Sequence, residues 1–171
     1  MSRQTEVEAV DRLLLGDKRL SGAAPEFGPT NFNRRGRYEN CARWPLVDDI
    51  GVANGAEFLF VARAAGEHSI SVLWRQRPIY RLDIVGREEC KPNPHFSQGL
   101  GLPSRVCGPH VHTWENNRAH VLSQTVWDLP CREPLPPQVR RFDQAWLWLA
   151  GRLNVVLTSE ERVFQLPMAL I

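Results

Sequence analysis

Lysine is nearly missing from this chain. Of its 21 basic residues only Lys18 and Lys91 are lysine, and the rest are arginine. A GC-rich genome accounts for that bias; the alternative is that arginine's planar fork is used to grip carboxylate or phosphate. Also lacking is any apolar run of about 18 residues, so no membrane span or membrane partner is expected. No two cysteines stand at the separation of zinc ribbons or redox motifs. Cys41, Cys90, Cys107 and Cys131 are scattered, and the expectation is free, mostly buried thiols in a reducing cytosol. The opening residues carry Glu6, Glu8 and Asp11 where a secretory leader needs an apolar core, which points to the cytoplasm. Net charge is only +2, too small an excess to argue for nucleic acid by itself.

What is present reads as one ordinary globular domain. The chain has 171 residues, 43% hydrophobic and 23% charged, enough for one core and too balanced for disorder. Thr5 to Leu15 has helical periodicity, with Thr5 and Glu8 at capping-box spacing. A loop follows, in which Arg34, Arg35 and Arg37 lie beside Phe32 and Tyr38. That is the composition of a phosphate-gripping loop, or of a merely solvated one. Strands are expected from Tyr38 to Val47, with Pro45 at an edge or bulge, and from Glu57 to Ala64. HSISVLWR then alternates with Ile70, Val72 and Trp74 inward and His68 on the same face as a structural histidine. After a turn at Arg77-Pro78, IYRLDIVG returns as its partner. The fold class is α+β: a single domain with a curved, mainly antiparallel sheet, packed against an N-terminal helix and a long C-terminal helix from about Pro137 to Leu153. The tail carries a short capped turn at Thr158 and Glu161.

The chemistry-bearing residues concentrate between Ile79 and His120. On a strand, residues two apart share a face, so Arg81 pairs with Asp83, and His110, His112 and Trp114 share another face. Arg81 and Asp83 are either a solvated ion pair or an anion grip with Asp83 as its orienter. Between the two strands, Gly86 to Pro109 is a long loop broken by prolines and glycines, fit to act as a lid. HVHTW and RAHVLSQTVW are expected to form a hairpin.

Three readings stand for His110 and His112. They can hold a divalent metal such as zinc, iron or manganese, with a third ligand from His120, His95, Cys90, Cys107, Asp83 or Glu115. They can act without metal as a general base and acid, with Arg81, and Arg118 or Arg105, neutralising an oxyanion. Or they donate to loop carbonyls and tie down the lid.

The order RLD, then NP, then GPHVH followed by an acidic residue resembles a pattern in poorly characterised small prokaryotic and phage proteins, over about residues 79 to 120. In that pattern a histidine commonly precedes the NP. Here the segment is CKPNPH, with Cys90 ahead of Asn93-Pro94, so the expected histidine is either replaced or displaced to His95. The functional expectation is a histidine- or metal-dependent hydrolase, nuclease-like, acting on RNA or a nucleotide. Its catalytic residues would be His110, His112, Arg81 and Asp83, its substrate-binding residues Arg34, Arg35, Arg37 and Arg118, and its metal ligands His110, His112, His120 and His95. The alternative is a non-enzymatic inhibitor or immunity factor with a protein partner and structural histidines.

Overall fold

The structure, a computed structural model, describes residues 2–29, 40–63 and 66–166. Its centre is an antiparallel, curved and unclosed sheet. In chain order the strands and helices are α1 (Arg3–Leu15), β1 (Lys18–Leu20), β2 (Gly28–Pro29), β3 (Asn40–Asp48), β4 (Ala53–Ala62), β5 (His68–Trp74), β6 (Arg77–Ile84), β7 (Cys90–Pro92), β8 (Arg105–Cys107), β9 (His110–His112), α2 (Trp114–Ser123), β10 (Glu133–Pro134), α3 (Phe142–Arg152) and α4 (Ser159–Arg162). The sheet order is β1-β3-β4-β5-β6-β9-β10, with β2 also on β3, while β7 and β8 form a separate pair. This is the expected α+β fold.

Alternation decides which face is core. Trp44 pairs with Phe58, Phe58 with Val72, Val72 with Tyr80, Ile70 with Leu82, and Leu82 with Val111, all on one face and all buried. Against them α3 lays Trp146, 6.3 Å from the Trp44 ring and edge-on to Phe58 at 5.0 Å. Each buried aromatic of this kind contributes about 1.5–3 kcal/mol through its area alone. β5 is buried at every position, so its second face is covered too, and that face carries Ser69 and Ser71. These two serines lie opposite Asp83 and Arg81 of β6. The polar face of the sheet therefore begins inside the molecule.

Local chemistry sets the boundaries. Ser2, rather than Thr5, caps α1, its hydroxyl accepting from the Thr5 N–H. Pro45 sits at a register shift between β3 and β4, as expected of a proline in a strand. The Asp48 carboxylate accepts from the Ile50 and Val52 N–H groups, closing the turn so that β4 starts at Ala53 rather than Glu57. Arg75 and Gln76, both with positive φ, make the two-residue turn between β5 and β6, leaving Arg77 and Pro78 within β6. Thr158 and Glu161 form the expected capping box at α4.

Three further expectations are corrected. The C-terminal helix is 11 residues, not the long one read from Pro137, because the Gln144 side chain accepts from the Arg140 and Arg141 N–H groups and holds that stretch out of the helix. The segment after His112 is no hairpin: Thr113 caps α2, accepting from the Asn116 N–H, so Trp114 leaves the histidine face. Its indole instead donates to Asp11 of α1. Finally, Cys90 and Cys107 are not free thiols. They lie directly opposite each other on β7 and β8 and are joined by a disulfide, with Cα atoms 4.0 Å apart. Sequence separation alone does not reveal that pairing. Among the described residues no helix is long and apolar enough to cross a membrane.

Candidate metal centre

Because β9 pairs with β6 in antiparallel register, His112 lies opposite Arg81 and His110 opposite Asp83. Directly opposed residues share a face, so the two pairs read from sequence as separate faces merge into one cluster. Asp83, His110 and His112 are 5%, 2% and 7% exposed. Their ligand-type atoms all lie within 4.8 Å of one another, a group that can hold a metal ion.

The hydrogen bonds around the cluster fix its polarity. His110 Nδ1 is 2.8 Å from the Gly108 carbonyl, and His112 Nδ1 is 2.6 Å from the Leu129 carbonyl. A carbonyl only accepts, so each Nδ1 carries a proton and donates it, which directs the Nε2 edge of each ring toward Asp83. Burial drives the His112 pKa down to about 4; the nearby Arg132, His110 and Arg81 add to this, while Asp83 opposes it, and the net result is a neutral ring at pH 7. Arg81 donates to Asp83 Oδ1 through Nε at 3.0 Å and Nη2 at 2.9 Å, leaving Oδ2 to face the imidazoles. Oδ2 is 3.5 Å from His110 Nε2 and 3.7 Å from His112 Nε2. A charge-assisted N–H···O bond is about 2.7–2.9 Å, so these are not closed ion pairs. Donor atoms around a tetrahedral centre with bonds of about 2.0 Å lie roughly 3.3 Å apart, close to the two carboxylate–imidazole distances. Backbone-anchored Nδ1–H groups and an Arg-held carboxylate are also the outer interactions that orient metal ligands.

The other expected site residues are placed elsewhere. His120 pairs with Asp128 at 2.8 Å and stacks on Phe96. His95 is exposed at the start of a 3-10 helix, His95–Leu100. Arg118 is bound by both oxygens of Asp11, on the seam between α1 and α2. Glu115 bonds Tyr80 and Arg152. The disulfide removes Cys90 and Cys107 as ligands. Arg105 is on β8, and Arg34, Arg35 and Arg37 lie outside the described residues. No cluster of three histidines forms among the described residues.

Two residues without an expected role border the cluster. Glu133 pairs with Val111 and Pro134 with His110, so Arg132 arrives beside His112, on the side away from Arg81. Its main chain is clamped by Asn93, whose Oδ1 accepts from the Arg132 N–H and whose Nδ2 donates to the Arg132 carbonyl. Asn93 belongs to the NP pair in the loop, which is thereby tied to the cluster. Only the strand register, hidden in the sequence, brings Arg132 to this place. Comparison of the chain with protein-family models, curated proteins and solved structures gave no match.

Proposed function

We propose that this protein is a metal-dependent hydrolase of a phosphate-containing substrate, with Asp83, His110 and His112 as the three protein ligands. The observation that supports this reading best is the meeting of three ligand-type atoms, with the Nδ1 of both imidazoles held by backbone carbonyls. Two histidines and one carboxylate leave coordination positions open, as catalytic sites do and closed structural sites do not. Zinc, iron and manganese all suit such donors. A divalent cation there would polarise a phosphoryl oxygen and lower the pKa of water. In hydrolysis the water oxygen bonds to phosphorus, the ester P–O bond breaks, and the leaving oxygen takes a proton. Arg81, half exposed, orients Asp83 and offers the remaining edge of its guanidinium to the substrate. In the cytoplasmic setting expected from the sequence, the Cys90–Cys107 bond would face a reducing thiol pool.

The test is hydrolysis of a chromogenic phosphate ester and of a short RNA by chelator-treated protein, with zinc, iron(II) or manganese added back. Activity that returns with one of the metals and is lost in His112→Ala supports the proposal. Activity indifferent to both chelation and His112→Ala contradicts it. A second reading, a protein-binding inhibitor or immunity factor, draws on Phe96 and Leu100. Both are about half exposed on the disulfide-braced loop.

A further inference from the structure

Among the described residues, nothing answers the charge of Arg132 by contact. Its Nε is buried without a hydrogen-bond partner, and among the described residues no carboxylate lies within ion-pair distance of its guanidinium. Burial and the neighbouring Arg81 work against its charge, and Asp83 supports it only at a distance. A guanidinium drawn partly out of water, with a buried Nε and no partner, is costly, and proteins retain such groups where a ligand completes them. The main chain of Arg132 is meanwhile fixed by two hydrogen bonds to Asn93, at 2.9 and 2.8 Å. The position is held while the charged end is left unmatched.

We infer that Arg132 is the receptor for the substrate's anionic group, and that the group is a terminal phosphate carrying two charges rather than an internal phosphodiester. This rests on the metal-dependent reading above. Arg81 and Arg132 bracket His112 along one row across the sheet, and among the described residues Asp83 is the carboxylate set against them. With a divalent cation on the three ligands, positive charge exceeds negative by more than a diester's single charge offsets. A terminal phosphate neutralises more of it and presents three oxygens to a fork built for two. Access points the same way. The three ligands are at most 7% exposed, which suits a compact end group and not a strand passing through.

The experiment is titration of inorganic phosphate and of dimethyl phosphate into wild-type, Arg132→Gln and Arg132→Lys protein, each metal-free and metal-loaded. Metal affinity is measured separately and folding is checked by thermal denaturation. Wild type is expected to bind phosphate at least about tenfold more tightly than dimethyl phosphate, and Arg132→Gln to lose about tenfold in phosphate affinity. Arg132→Lys, with charge but no fork, falls between, and metal affinity changes by less than about threefold in either variant. Phosphate affinity unchanged in folded Arg132→Gln overturns the inference, and equal binding of the two anions overturns the terminal-phosphate assignment. Should no metal bind at all, the metal reading fails, while the metal-free titrations still decide Arg132.

Discussion

At the scale of the residue, the cluster is a set of compromises that leave measurable traces. His112 is held neutral, its pKa about 4 against an ordinary 6.5, because the charged ring would be desolvated. His68 is shifted the same way by burial and by Arg63. Below pH 6.5 the unfolded chain takes up protons that the folded metal-free protein refuses. The stabilisation is therefore complete above about pH 6.5 and is lost as pH falls toward 4, about 3 kcal/mol for His112 alone. Urea denaturation of chelator-treated protein at pH 7.5 and pH 5 should show about 2 kcal/mol of that loss, and His112→Gln should flatten the profile. A wild-type profile without a slope would mean that the ring is not buried neutral. Arg132→Met carries the opposite sign. Removing a partly buried, unanswered charge should raise stability by about 1 kcal/mol while weakening phosphate binding by about tenfold or more, read from paired denaturation and binding curves.

At the scale of the element, α2 departs furthest from what its residues suggest on their own. RAHVLSQTVW alternates well enough to suggest a strand, yet Trp114, Asn117 and Val121 recur at helical spacing, and Thr113 sits where a cap belongs. Two periodicities competed, and the cap decided. The helix also performs a task that apolar patterning does not announce. Asn117, fully buried, donates to the Thr113 and Cys131 carbonyls and accepts from the Cys131 N–H, fixing the connector just before Arg132. Asn117→Ala strips the Cys131 N–H and carbonyl of their side-chain partner and should cost about 2–3 kcal/mol, seen as a lower urea midpoint with unchanged slope. The sheet was easier to read, because Ile70, Val72, Trp74, Tyr80 and Leu82 alternate as the core requires. The two faces assigned separately to Arg81 with Asp83 and to His110 with His112 became one only through the β6–β9 register. That register is a tertiary fact, set by pairing across a loop of more than 20 residues.

At the scale of the whole molecule, one sheet joins an aromatic core on one face to a polar cluster on the other, and the Gly86 to Pro109 excursion is bolted between them. The Cys90–Cys107 bond closes its base, Asn93 grips Arg132, and Gly108, next to Cys107, supplies the carbonyl that orients His110. Closing a loop of 17 residues is worth about 3 kcal/mol, so reductant or the Cys90→Ser/Cys107→Ser pair should lower the thermal midpoint by several degrees. An unchanged midpoint would show that the excursion holds without the bond. The central claim is that Asp83, His110 and His112 bind one divalent cation, and the most direct measurement is elemental analysis of protein purified without a histidine tag. The account predicts about one equivalent of zinc, iron or manganese in wild type and almost none in Asp83→Ala, His110→Ala or His112→Ala. Wild type that neither carries nor takes up a metal, or variants that keep it, would contradict the account.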